Sequence, residues 1–458
     1  MTCELPFQLV IKQTYPERRT ERLLCTELLR VVPGRRCVYN ARWNDRGVIV
    51  KAFSHKLSSK RHLRREWQSL MTVARRGLRV PELLFYGQCE NGDWAVVVEK
   101  IENSSTALEM FENLQNPNEK LDLLILVGNE LAGQHNKGVL QKDLHLGNFL
   151  LKDDEVFLLD AGQMQFFPGA IDRKKSLAQL ARLVLYLSTD DIGATLKICE
   201  EYFKARGWHF KDTDTALLKK QISIQQQRGI RHGLKKCLRT SRRTLRIKTG
   251  GTTAVFDKDF CNGAEPIDFI EQIDTLMDKG EILKNGNTCY VSRLAWNNKD
   301  VVVKRYNHKG FIHSLRHTIR QSRARRCWLH GNRLEMLKIS SPKPLAYIEQ
   351  YKGLLIWKSY LVTEYIHGQK LYNFLQDERV DSERRLSVMQ QVKVLLERLG
   401  KHRITHGDLK HTNIIITNNA PFLTDLDAMQ VHRWNWSYRI KRAKDLERIK
   451  LEFAHSTK

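Results

Sequence analysis

Five residues in the first half of the chain have the types and the order needed to move a phosphoryl group: Lys51, Glu66, Asp143, Asn148 and Asp160. Such a transfer needs little covalent help from a protein. The phosphate must be held in line, its charge neutralised and the acceptor hydroxyl oriented. Lys51 sits in the strand-like run VIVKAF, from which an ammonium can reach the α- and β-phosphates of a nucleotide. Glu66, in the helical stretch that follows, can pair with that ammonium and fix it. Asp143 and Asn148 lie five residues apart in a loop. An aspartate there can orient a hydroxyl and accept its proton. An asparagine carbonyl suits a hard cation such as Mg2+, and Asp160 is the second candidate ligand. A lone Asp and Asn at this spacing would be ordinary turn residues.

The pattern occurs twice. QKDLHLGNFLLKDDEVFLLDAGQ matches HGDLKHTNIIITNNAPFLTDLDA, so that Asp143, Asn148 and Asp160 face Asp408, Asn413 and Asp425 at a constant offset of 265 residues. Upstream, Glu99 faces Glu364 at the same offset, Trp67 and Pro81 face Trp328 and Pro342, and Lys51 in RGVIVKAF faces Lys304 in KDVVVKRY. Ordered matches over so many anchors indicate an internal duplication. The candidate site residues therefore form two sets: Asp143 and Asp408 as catalytic residues, Lys51, Glu66, Glu99, Lys304 and Glu364 at the nucleotide, and Asn148, Asp160, Asn413 and Asp425 at the metal.

The elements that must position these residues follow from pattern. VIVKAF and WAVVVEK are short, β-branched and strand-like. HLRREWQSLMTVARRG and KLDLLILVGNELAGQHNKG read as helices ending at glycine. FLLKDD and EVFLLD read as a hairpin that leads from Asn148 to Asp160. Strands with one helix, then a mostly helical half, describe an α+β fold of two tandem protein-kinase-like, two-lobed domains. The expected division is domain 1 over residues 1–240, a basic linker leading into domain 2 over 241–275, and domain 2 over 276–458. Only 33 residues follow Asp425, so the second C-lobe should be short. Between the copies, residues 228–251 hold nine Lys or Arg and no acid, and NGAEP just beyond reads as a turn.

The formal net charge is +26 from 77 basic and 51 acidic residues. A field of that sign attracts polyanions. No apolar run approaches the roughly 18–20 residues of a membrane span, and no secretory leader is expected at MTCELPFQLVIK. The nine cysteines include no C-x-x-C pair, which argues against a zinc site and a disulfide framework and fits a reducing compartment. The basic stretch has no interleaved aromatics for stacking on bases, so no specific nucleic acid is expected. A contact with an anionic membrane surface is expected instead.

The elements RVVPGRRCVYNARW, VIVKAF, RREW, GLRVPELLFYG and KDLHLGNFLL with FLLDAG resemble the lipopolysaccharide kinase family of Kdo and heptose kinases (Kdo/WaaP, InaA-like). SRARRCW, SSPKPLAYI and HGDLKHTN with LTDLD are similar to the same family. The resemblance implies ATP and Mg2+ as cofactors and phosphorylation of a heptose or Kdo hydroxyl in the lipopolysaccharide inner core. It implies an anionic lipopolysaccharide core or lipid A intermediate as partner, and a peripheral, cytoplasmic location at the face of the bacterial inner membrane. A kinase of another acceptor, protein or small molecule, and a non-enzymatic scaffold in lipopolysaccharide assembly are the competing classes. Three departures stand out. The segment expected over the phosphates has one glycine, Gly34, leaving Arg35 or Arg36 to help hold the nucleotide. Gln141 occupies the place of the usual catalytic-loop histidine, so support for that loop must come from elsewhere. Cys327 stands where Glu66 stands in the first copy, and the next acid on that helix, Glu335, lies two turns away.

Overall fold

The computed structural model describes residues 4–32, 34–54, 58–187, 191–261, 266–286, 288–307, 321–418 and 420–456; most of the turn expected at NGAEP lies outside them. The protein mixes helix and sheet, and the chain divides into two compact units, 1–227 and 228–458.

Unit 1 starts with strands β1 (Phe7–Tyr15), β2 (Thr20–Val32), β3 (Arg36–Trp43) and β4 (Arg46–Phe53). Helix α1 (Ser59–Arg75), β5 (Leu83–Cys89) and β6 (Trp94–Glu99) follow. The six strands close into an antiparallel barrel in the order β1-β2-β3-β4-β6-β5. Side chains alternate across a strand. On β4, Val48 and Val50 fill the barrel interior with Ile11, Leu23, Phe85 and Val97. Ile49 and Phe53 belong to a different cluster, with α1, and Lys51 shares their phase. Helix α1 buries Leu63, Glu66, Trp67, Leu70 and Val73. Those positions recur every three or four residues, the apolar stripe of an amphipathic helix. Glu66 thus sits on the buried face because of its place in the helical period.

The rest of unit 1 is mostly helical. After β7 (Ser105–Thr106) come α2 (Ala107–Asn113), started by a Thr106–Glu109 capping box, and α3 (Pro117–Asn136), capped by Asn116 with Pro117 in its first turn. Gly138, at φ +70°, turns the chain out of α3. Short strands β8 (Val139–Gln141), β9 (Phe149–Lys152), β10 (Glu155–Leu158) and β11 (Met164–Phe166) then flank the segments that bear Asp143, Asn148 and Asp160, β9 pairing with β10 and β8 with β11. Helices α4 (Arg173–Val184), α5 (Ile192–Ala205) and α6 (Asp212–Lys236) complete this region. Leu124, Val127 and Leu131 of α3 share one core with Leu177, Leu180, Ile198 and Tyr202.

Unit 2 repeats the order with its own variations. Its strands β12 (Thr244–Thr249) and β13 (Thr252–Asp257) precede α7 (Pro266–Lys279), β14 (Glu281–Gly286), β15 (Cys289–Trp296), β16 (Lys299–Asn307), α8 (Arg323–Met336), β17 (Pro344–Lys352) and β18 (Leu355–Glu364). They form a seven-stranded sheet, β12-β13-β17-β18-β16-β15-β14. The second half holds β19 (Gln369–Lys370), α9 (Leu371–Gln376), α10 (Ser382–Lys401), β20 (Ile404–Thr405), β21 (Ile414–Ile416), β22 (Pro421–Leu423), β23 (Gln430–Val431) and α11 (Asn435–Ser456).

The stretch 241–275, expected as a linker, is largely built into unit 2. Residues 228–236 finish α6, and β12 and β13 are paired strands of the sheet. Ala254 and Phe256 are wholly buried in the core with Phe269 and Ile273 of α7. Two of the nine cations that suggested a linker lie on an edge strand. Arg246 and Lys248 alternate with Leu245 and Ile247 on β12, and charge on an exposed edge discourages pairing with other chains. A core position behaves unlike a linker position when truncated. Phe256→Ala should cost about 3–5 kcal/mol, measured by denaturant unfolding; a linker residue would shift it by less than about 0.5 kcal/mol.

Candidate active site

In unit 1, Lys51 projects from β4 between two carboxylates. Its ammonium lies 2.6 Å from Glu66 Oε1 and 3.1 Å from Asp160 Oδ1. Burial alone would lower the Lys51 pKa, but Glu66 and Asp160 outweigh it and raise the value. Burial likewise works against an ionised Asp160, yet Lys51 and Arg36 hold it well below the usual carboxylate range. The other oxygen of Glu66, Oε2, accepts the main-chain N–H of Gly162 at 3.1 Å. A Cβ at that glycine would lie 2.4 Å from Glu66 Oε2, so a side chain there would require the Glu66 carboxylate to move. Arg36 donates to both oxygens of Asp160 at 3.2 and 3.3 Å, and Arg30 lies 3.5 Å away. Of the two arginines expected near the phosphates, Arg36 reaches the site.

These groups edge a cavity of about 670 Å³. Val38, Ile49, Val98, Leu150 and Leu158 give it an apolar part, and Lys51, Glu99 and Asp160 a charged part. A flat heterocycle joined to a chain of phosphates has the same division. Glu99 lines the cavity, but among the described residues no ion pair joins it to Lys51.

Asp143 is exposed, and its carbonyl accepts from Asn148 Nδ2 at 2.8 Å. Anchoring the amide nitrogen leaves the amide oxygen for a cation. Asp160 has φ +53°, a left-handed conformation that Asp tolerates better than most residues. Among the described residues no three or more His, Cys, Asp or Glu are grouped so that they could hold a metal ion by themselves. The available donor set is one amide oxygen and one ionised carboxylate, all oxygen. That set fits Mg2+, which keeps several waters and takes further ligands from phosphates.

The loop around Asp143 is held by a network that the sequence did not reveal. Gln179 of α4 donates to the Gln141 carbonyl and accepts from His135 Nε2 at 2.8 Å. That acceptor requires the proton on Nε2, so Nδ1 takes the Tyr202 hydroxyl at 2.5 Å. Gln141 itself donates to Gln134 at 2.9 Å and lies 3.4 Å from the Asn148 amide nitrogen. Arg182, one turn beyond Gln179, donates to the Lys142 carbonyl at 2.9 Å. This is the support that Gln141 left unassigned.

Unit 2 has the corresponding parts. Asn413 Nδ2 donates to the Asp408 carbonyl at 2.8 Å, and Asp425 is left-handed at φ +57°. His406 bonds the Thr424 carbonyl through Nε2 at 2.8 Å. Asp445 of α11 accepts from the backbone of His406 and Gly407 at 2.7 and 3.0 Å. Arg448, one turn on, donates to the Gly407 carbonyl and lies 3.8 Å from Asp408. Gln179 with Arg182 and Asp445 with Arg448 thus clamp the two loops from the same spacing on the following helix.

Lys304 contacts Asp425 at 2.6 Å and Asp427 at 3.0 Å. Glu335 is engaged elsewhere, with Arg243 at 2.6 Å. Lys304, Glu364, Asp425 and Asp427 line a cavity of about 290 Å³ with Val291, Val302 and Ile415. The Glu364 carboxylate accepts from the Lys343 backbone at 2.8 Å and makes no ion pair with Lys304 among the described residues.

A family model, the lipopolysaccharide kinase (Kdo/WaaP) family, matches the chain over residues 14–208 and again over 274–457. No curated protein sequence matches it. Similar solved structures include two crystal structures of the Mycobacterium tuberculosis PknI kinase domain. One is 16% identical, with 36% of this chain and 71% of that chain covered and a TM-score of 0.28. The other is 15% identical, covering 43% and 95%, with a TM-score of 0.29.

The His135 network predicts a pH dependence. Burial lowers the His135 pKa from 6.5 to about 4. The unfolded chain binds the proton more readily, so this contribution is complete above pH 6.5 and drains as pH falls toward 4. Thermal unfolding of His135→Gln across that range should show a slope shallower by up to one proton.

Proposed function

The chain belongs to the lipopolysaccharide kinase (Kdo/WaaP) family, and from that premise we propose that it carries two tandem kinase-like domains. In this reading the first transfers a phosphoryl group from ATP to a heptose or Kdo hydroxyl of the lipopolysaccharide inner core. The observation that carries it is the buried Lys51, held by Glu66 and Asp160 at the edge of the 670 Å³ cavity.

The roles follow from position. The apolar part of the cavity takes the base, with Glu99 at its rim. Lys51, fixed by Glu66, neutralises the α- and β-phosphates. Asn148 and Asp160 would hold Mg2+, which would supply positive charge to the phosphates. Arg36 shifts its pairing from Asp160 toward the nucleotide. Asp143, open to solvent on its clamped loop, orients the acceptor hydroxyl and takes its proton as the new O–P bond forms and ADP leaves. Asp408, Lys304, Asn413 and Asp425 supply the same groups in the second domain.

The acceptor is anionic, and the charge of the protein suits it. Lys60, Arg61, Arg64 and Arg65 of α1 line an open groove of about 830 Å³ together with Phe166, which lies just after Asp160 in the chain. No helix among the described residues is long and apolar enough to cross a membrane. A peripheral contact with the anionic cytoplasmic face of the inner membrane is the location we propose.

Phosphate transfer from labelled ATP to core oligosaccharide lacking phosphate tests the assignment. Asp143→Ala should lower incorporation by about 100-fold or more while ATP binding persists. Full activity in Asp143→Ala with loss in Asp408→Ala would move the working site to the second domain. No incorporation by folded wild type would favour another acceptor or a binding role. Liposome co-sedimentation should require anionic lipid and weaken with salt; equal sedimentation with neutral vesicles at high salt would remove the electrostatic contact.

A further inference from the structure

We infer that Asp427 has taken over the work of Glu66 in unit 2, and that this unit therefore keeps a competent second ATP site. The inference rests on reading Lys304 as the phosphate-binding lysine. It adds a positioning residue that the Cys327 position had seemed to rule out.

The exchange involves three equivalent positions. Glu66, Gly162 and Phe53 in the first copy stand opposite Cys327, Asp427 and Tyr306 in the second. In unit 1 the carboxylate comes from α1. One oxygen meets Lys51 at 2.6 Å, and the other is steadied by the Gly162 N–H at 3.1 Å. In unit 2 the carboxylate comes from the opposite side, the loop after Asp425. Asp427 Oδ2 meets Lys304 at 3.0 Å. Its Oδ1 accepts from the Tyr306 hydroxyl at 2.6 Å and from the Cys327 thiol at 3.0 Å. Burial, then Asp427, raises the thiol pKa far above its usual value, so Cys327 stays protonated and remains a donor. In each unit one oxygen binds lysine and the other is fixed by neutral donors, and each lysine has two carboxylates within 3.1 Å.

The changes depend on one another. A Cβ at Gly162 would lie 2.4 Å from Glu66 Oε2, so an aspartate there cannot coexist with Glu66 as placed. A cysteine at 327 is short enough to leave the space to Asp427 and carries a proton for it. The tyrosine hydroxyl adds the second donor where unit 1 has only the Phe53 ring. A decayed site would lose the acid without a replacement. Here the acid, its clearance and its donors have moved together.

The test uses the full chain with the first site disabled by Lys51→Met, and titration of a fluorescent ATP analogue with and without Mg2+. Lys51→Met should retain one Mg2+-dependent site. Adding Asp427→Asn should weaken that site about tenfold or more, and Tyr306→Phe by a smaller factor. Cys327→Glu alone should not improve binding, because it sets a second carboxylate against Asp427. Cys327→Glu with Asp427→Gly rebuilds the arrangement of unit 1 and should recover affinity, a rescue that a merely structural Asp427 would not give. Melting temperatures accompany each titration. Binding unchanged in Asp427→Asn, or no Mg2+-dependent binding left in Lys51→Met, would overturn the inference. No sugar phosphorylation by the wild-type chain, with Mg2+-dependent binding at this second site intact, would count against the proposed acceptor and leave Asp427 in place.

Discussion

A lysine ammonium taken out of water is stable only with opposite charge at hand. Much else in both units follows from that constraint. In unit 1 it requires the strand phase that turns Lys51 away from the barrel interior, the helical phase that puts Glu66 on the buried face of α1, and the backbone twist at Asp160 that brings a second carboxylate to 3.1 Å. Three elements distant in sequence converge on one nitrogen. The barrel and the helix behind it are the scaffold for that convergence.

The second constraint acts on the loops bearing Asp143 and Asp408. Each loop has only one short 3-10 turn, Leu146–Asn148 or His411–Asn413, to fix it, so its other polar backbone groups need outside partners. A helix following each loop supplies them from two positions one turn apart. The chemistry differs, with amide and guanidinium in one unit and carboxylate and guanidinium in the other. The amide variant extends inward through His135 to Tyr202, which ties loop geometry to the helical core. In the carboxylate variant Asp445 accepts directly from the backbone of His406 and Gly407.

Much of this was legible in the sequence. Strand and helix periodicity located Lys51 and Glu66, and the fixed offset between the copies paired the loop residues before any coordinates. What was not legible has physical reasons. The cations of β12 hid a period of two, because an edge strand presents one face to solvent and its charges look like those of a linker. Gln179, Arg182, Asp445 and Arg448 lie beyond the matched segments and share only spacing and role, which sequence matching does not detect. Asp427 aligns with a glycine, so matching the copies gives no sign of its role. Glu335, the next acid on the helix of Cys327, is held by Arg243.

The crowding at Gly162 also bears on how the two copies can have diverged. Changing one arrangement into the other one substitution at a time passes through either a lysine left with a single carboxylate or two acids competing for the same space. Both intermediates are poor sites. A protein with a single site would be selected against at that step, whereas a chain with a second working copy can cross it.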